Sequence, residues 1–231
     1  MIDIRILSAG APKTGVRKCA EAFTENTGQP FEIEFATAPV LRERVGSGAA
    51  NADIIIAPVA AMEAFVAAGQ VLSESVSAIG SVTAGVVVRN GAPEPDLTSV
   101  EAFKQDLIAA DGLVYNLASS GQYIVKMIEG LGIADEVAAK TVRVASGAAV
   151  MEHLADGPVA NVIGFGQITE IRLHEDLGVH LAGPLPEAIG KVTTYAVGLL
   201  TDAASPDAAR PLVDFMASAD GKQVFVATGV V

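Results

Sequence analysis

A chain of 231 residues, 51% of them apolar, can bury a sizeable core as one large domain or two small ones. It carries 15 Lys and Arg against 27 Asp and Glu, a formal net charge of -12, with only 5% aromatic residues and no Trp. Nucleic acid and anionic membrane surfaces are excluded as partners, because both call for clustered cations, and no stretch approaches the ~18 apolar residues that membrane insertion requires.

The single cysteine, Cys19, allows no internal disulfide and reads as a small buried hydrophobe on the apolar side of the first helix. His153, His174 and His180 form neither a Cys/His cluster nor a helical His-x-x-x-His pair, so no metal and no other cofactor is expected. The opening Met-Ile-Asp-Ile-Arg enters a strand at once, without a basic segment, apolar run or cleavage site. That start implies a cytoplasmic protein if Met1 is native, and a periplasmic one if a signal peptide has been removed.

Ile2, Ile4 and Ile6 alternate with polar residues and run into Leu7, a first strand. A short Ser8-Ala9-Gly10 turn follows, then a helix with Val16, Cys19, Ala20 and Phe23 on one face, stopped at Gly28. Such a junction is receptive to anions, since a helix start leaves backbone N–H groups unpaired and small residues let a ligand reach them. Tight strand-to-helix packing would account for the same residues.

Phe31, Ile33 and Phe35 form a second strand that delivers Ala36-Thr37-Ala38-Pro39, where Thr37 can cap a helix carrying Leu41 and Val45. Residues 53–57, almost wholly apolar, form a third strand that opens through Pro58 into a helix with Met62, Phe65 and Val66. Alternation at this spacing predicts a parallel sheet whose loops gather at the carboxyl ends of the strands.

Residues 81–89 read as a long strand leading to the turn-rich 90–95, a crossing between domains. Thr98-x-x-Glu101 has the pattern of a capping box. Residues 113–115 form a strand feeding Asn116-Leu-Ala-Ser119-Ser120-Gly121 and a helix with Tyr123, Ile124, Met127 and Ile128. This is the most anion-friendly loop in the chain, although Ser119 and Ser120 could equally cap the helix.

A strand over 142–145 leads through Ser146-Gly147 to a helix with Val150, Met151 and Leu154. The next, from Asn161, ends at Gln167, which offers both a donor and an acceptor; Glu170 then lies near a helix start, where plain complementation of the helix dipole would account for it. A short strand over 179–181 and a long one over 191–200, with Tyr195 near its middle, precede two closing helices. Pairing the two long strands would build a hinge between two lobes, residues 1–82 with 197–231 and residues 83–196.

Leu7-Ser-Ala-Gly-Ala-Pro-Lys13, Phe23-Thr-Glu-Asn-Thr-Gly28, Phe35-Ala-Thr-Ala-Pro39, Ala52-Asp-Ile-Ile-Ile-Ala57, Ser119-Ser-Gly121, Thr193-Thr-Tyr-Ala-Val197 and the closing Phe215-Met-Ala-Ser-Ala-Asp-Gly-Lys222 occur in that order. Together they resemble the molybdate-type solute-binding proteins of ABC transporters over nearly the whole chain. The resemblance implies an α/β, type II periplasmic-binding-protein fold, with a small anion held between the lobes and an ABC transporter permease as partner. By position, Ser8, Ala9, Gly10, Thr37 and Ala38 would face the ligand from the first lobe, and Ser119, Gly147 and Tyr195 from the second lobe and hinge. Pro58, Asn116, Ser120 and Gln167 lie at the same junctions.

Molybdate binders of this family carry a Ser-rich second loop, where this chain has Ala36-Thr37-Ala38-Pro39. Losing a hydroxyl donor to a desolvated anion costs ~1.5–3 kcal/mol, so an organic carboxylate is favoured over molybdate or tungstate. Lys13, Arg42 and Arg44 are near enough in sequence to the first two loops to pair with it, Arg42 and Arg44 being equally readable as solvated helix charges. The chain also resembles aconitate isomerase, an enzyme on the same fold. That likeness implies an allylic proton shift on an unsaturated di- or tricarboxylate, with Glu170 or Tyr195 as the proton shuttle. A ligand sensor is a third reading, without any helix-turn-helix or basic segment to read DNA.

Overall fold

The computed structural model describes residues 3–231; Met1 and Ile2, the start of the first expected strand, lie outside the described residues. Contacts divide the chain into two compact units, one running to Val82 and resuming over Thr193–Val231, the other Thr83–Val192.

In the first unit, β1 (Ile4–Ala9), α1 (Lys13–Thr27), β2 (Phe31–Ala36), α2 (Ala38–Gly46), β3 (Ile54–Pro58) and α3 (Val59–Ala67) alternate. β1 lies between β2 and β3, parallel to both, with Ala9 opposite Ala36 and Ser8 opposite Ile56. The apolar run of β3 is covered on both faces: Ile54, Ile55 and Ile56 expose nothing. The last strand, β9 (Val192–Leu199), runs antiparallel beside β3 and sets Tyr195 opposite Pro58. The closing helices α9 (Pro206–Ala217) and α10 (Ala219–Ala227) bury Leu212, Met216 and Phe225 with the Val16, Cys19 and Phe23 face of α1. Asp53, just before β3, is 1% exposed. Its carboxylate accepts from the Arg5 and Ser205 N–H groups, both at 2.9 Å, tying the start of the chain to its last segment.

The second unit begins within β4 (Ser77–Arg89), a strand that starts earlier than the periodicity suggests. It continues with α4 (Val100–Ala109), β5 (Gly112–Asn116), α5 (Ser119–Gly130), α6 (Ala134–Ala138), β6 (Thr141–Val144), α7 (Gly147–Asp156), β7 (Val162–Gln167), α8 (Ile168–Leu173) and β8 (Val179–Pro184). β5 lies between β6 and β7, parallel to both, while β4 is antiparallel to β7 and β8. The five-residue α6 is too short to print a helical period on the sequence. Side chains alternate along β7. Gly164 and Gly166 meet Leu154 and Met151 of α7, whereas Phe165 turns to the opposite face and packs edge-on against Phe103 and Tyr115, at 6.3 and 6.4 Å between centroids.

The expected capping box does not form at α4. Ser99 is the cap, its Oγ accepting from the Ala102 N–H at 3.1 Å, while Thr98 closes a turn on Asp96 and Glu101 accepts from Gln105. Cations close two helix ends in this unit: Lys140 Nζ donates to the Ile108 and Ala110 carbonyls, and Arg89 Nε to the Leu154 carbonyl at 2.7 Å.

Candidate ligand site at the helix starts

Parallel strands point the same way, so each unit brings its strand ends and following helix starts to one edge. In the first unit that edge carries Ser8 and Ala9 at the end of β1 with Gly10 after it, Thr37 and Ala38 after β2, Pro58 at the end of β3, and Tyr195 of β9 opposite Pro58. The helices α1, α2 and α3 start from Pro12, Thr37 and Pro58, and in none of them does the capping residue's side chain accept a first-turn N–H. Thr37 sits at the cap position in extended conformation without capping, contrary to the sequence reading; the helix it precedes has Pro39 in its first turn, which has no N–H to offer. Three helix starts on one edge thus have no side-chain cap from the residue before them, and their partial positive charge is not offset there.

The residues differ in access. Ser8 is fully buried, and its hydroxyl donates to the Ala9 carbonyl at 3.0 Å. Ala9 and Ala38 are buried, Gly10 and Thr37 half-buried, and Lys13, the first residue of α1, is half-buried with its N–H donating to the Gly10 carbonyl. Arg44 is drawn away from this edge, since it pairs with Glu34 and donates to the Ala50 carbonyl. That hydrogen bond holds the Glu34 carboxyl below its ordinary range. Arg42 is exposed on α2.

In the second unit, β5, β6 and β7 deliver Asn116 to Ser120, Ser146 with Gly147, and Gln167 to one edge. Asn116, expected at the ligand, is buried as an internal brace. Its Oδ1 accepts from the Ala118 and Gly121 N–H groups at 2.9 and 3.2 Å, and its amide donates to Ser120 Oγ at 3.1 Å. Asn116, rather than either serine, therefore accepts the Gly121 N–H of the first turn of α5, and Ser119 Oγ is a buried hydroxyl with no partner among the described residues. The signal for this brace was an Asn just before a helix start, a residue whose side chain mimics a turn. A Cβ on Gly121 would press on the Asn116 backbone, with the carbonyl carbon at 2.6 Å.

The α7 start is arranged differently. Ser146 caps it, its Oγ accepting from the Ala149 N–H at 3.2 Å, and the Glu170 carboxylate from α8 rests on Gly147. A Cβ at position 147 would overlap that carboxylate, with even its farther oxygen at 2.7 Å. Nothing local foretells this packing, because the two residues belong to separate elements joined through β7. Gln167, three residues before Glu170, is 5% exposed, and its Oε1 has no partner among the described residues.

Uncapped helix starts on the carboxyl edge of the first unit's parallel sheet, and a buried hydroxyl and a buried amide oxygen without partners among the described residues of the second, fit a protein that holds a small polar solute. The chain belongs to the bacterial extracellular solute-binding proteins, whose family model matches residues 4–231. A curated relative, an aconitate isomerase from Pseudomonas sp, is 27% identical over 98% of this chain and 87% of its own. The periplasmic molybdate-binding protein of Azotobacter vinelandii aligns over 99% of both chains with a TM-score of 0.76 at 15% identity. The sulfate-binding protein SubI from Mycobacterium tuberculosis does so over 100% of this chain and 86% of its own, with a TM-score of 0.69 at 14% identity. The fold is that of type II periplasmic binding proteins. Among the described residues no helix is long and apolar enough to cross a membrane.

Proposed function

We propose that this solute-binding protein takes up a small organic carboxylate at its uncapped helix starts and hands it to an ABC transporter permease, working in the periplasm. The observation that carries the reading is the set of N-termini of α1, α2 and α3 on one edge of the first unit, none closed by the side chain of its capping residue. In the second unit Ser119 Oγ, at the start of α5, is buried and has no partner among the described residues. Ser8, whose hydroxyl is spent on the Ala9 carbonyl, and the Ala36-Thr37-Ala38-Pro39 loop leave the first unit poor in the hydroxyl donors that a compact oxyanion needs. A flat carboxylate is served by backbone N–H groups, with Lys13 as a counter-charge.

Calorimetry against sulfate, molybdate, citrate and cis- and trans-aconitate tests this. Carboxylates should bind, the inorganic anions should not, and Ser119→Ala should weaken binding about tenfold to a hundredfold, the ~1.5–3 kcal/mol of a hydrogen bond to a charged group. Sulfate or molybdate binding tighter than every carboxylate would overturn it.

The aconitate isomerase relative favours a second reading, isomerisation of an unsaturated tricarboxylate. A base would take the proton from the methylene carbon beside the double bond, the electron pair would shift the double bond by one carbon, and the proton would return at the far end. Glu170 or Tyr195 would carry the proton, while helix-start N–H groups and Ser119 stabilise the transient negative charge. Proton NMR of bound aconitate in D₂O separates the readings: loss of the allylic signal establishes catalysis, and its persistence at saturation leaves a receptor.

A further inference from the structure

We infer, resting on the carboxylate reading above, that the ligand also carries a hydroxyl group, whose O–H donates to Gln167 Oε1 while its carboxylate is held at the start of α5. Gln167 follows Gly166 at the end of β7 and so shares the face of Phe165, the face on which Phe165 clusters with Ile124, Met127 and Ile128 of α5. Ser119, the first residue of α5, stands at the same edge.

Two buried polar atoms here have no partner among the described residues, and their chemistry differs. Ser119 Oγ can donate or accept, but an amide oxygen only accepts. With the Gln167 amide oriented as it is here, sulfate, molybdate and an ionised carboxylate carry no hydrogen to give its Oε1, so a purely anionic ligand would leave that oxygen without a donor. One molecule with both an acceptor and a donor, a hydroxycarboxylate, meets both needs.

The other long helix of this edge is already supplied with an anion. The Glu170 carboxylate packs on Gly147 at the α7 start, where Ser146 also caps, so a second negative group is repelled there. That leaves the Ser119 hydroxyl, at the start of α5, as the anion contact of this unit and Gln167 as the reader of the ligand's next substituent.

The test is a pair of ligand comparisons by calorimetry on the full chain: citrate against tricarballylate, which lacks only the hydroxyl, and malate against succinate. The hydroxylated member should bind about tenfold or more tighter in at least one pair, since a site built for a hydroxyl rejects the analogue without it. Gln167→Met keeps the volume and removes the acceptor; it should shrink that preference to about twofold. Equal binding of both members in both pairs overturns the hydroxyl inference and leaves the carboxylate reading standing. Binding of none of the four, with sulfate or molybdate bound, overturns both. The wild-type comparisons decide the matter even if the variant fails to fold.

Discussion

Cys19 packs between α1 and α10 with its Sγ 3.6 Å from the Gly221 carbonyl, and burial pushes the thiol up to about 12. The folded state therefore holds this proton more tightly than the unfolded chain does. The stabilisation is complete below the unfolded value near 8.5 and drains away as pH rises toward 12, at up to about 1.4 kcal/mol per pH unit from this group. Urea unfolding between pH 7 and 10.5 should show a steeper alkaline loss for the native chain than for Cys19→Ala, and equal slopes would contradict the assignment. Two glycines make a second contrast at this scale. At Gly121 the obstacle to a Cβ is the Asn116 backbone, which cannot yield, whereas at Gly147 it is the end of the Glu170 side chain, which can swing. Gly121→Ala should lower the melting temperature clearly, and Gly147→Ala should leave it near the native value while displacing the carboxylate from α7.

Helices in this chain begin in two ways, and the difference separates stability from binding. Ser99, Ser146 and Ser218 each accept an N–H of the first turn, so Ser99→Ala or Ser146→Ala should cost about 1 kcal/mol in chemical unfolding. Thr37 and Ser119 stand at helix starts without capping them. Thr37→Ala and Ser119→Ala should therefore leave the unfolding midpoint almost unmoved and be felt in ligand affinity, a pattern that denaturation and calorimetry on the same two variants would check. Helix packing sets a stricter limit. Gly15 of α1 faces Phe225, whose Cδ1 would lie 2.5 Å from a Cβ there, so Gly15→Ala should destabilise by about 1–3 kcal/mol through overpacking between α1 and α10.

Across the whole molecule, Asp53 is a long-range polar tie within the first unit. Its buried carboxylate joins the Arg5 backbone to that of Ser205, and Asp53→Ala strips acceptors from two N–H groups at once. A loss of several kcal/mol follows, visible as a large drop in melting temperature, because each buried donor left unpaired costs about 1–3 kcal/mol. Ligand acts in the opposite direction. A bound carboxylate at a hundred times its dissociation constant should add about 2.7 kcal/mol and raise the melting temperature by roughly 5–10 °C, a shift that sulfate should not reproduce.

The alternation of strands and helices, and with it the type II binding-protein fold, was legible in the sequence because both periods are local: apolar residues recur every second position in β1 and every third or fourth in α1. The gathering of loops at the carboxyl ends followed, since short connections between parallel strands leave no other arrangement. The direction of each hydroxyl and carboxylate was not legible. Ser8 turns to its own neighbour's carbonyl, Asn116 folds back to brace α5, Arg44 is taken by Glu34, and Glu170 settles on Gly147. Each of those outcomes is a competition among hydrogen-bond partners brought together by chain folding. Such partners belong to neighbouring turns or separate elements, so only the tertiary structure decides which of them a side chain meets.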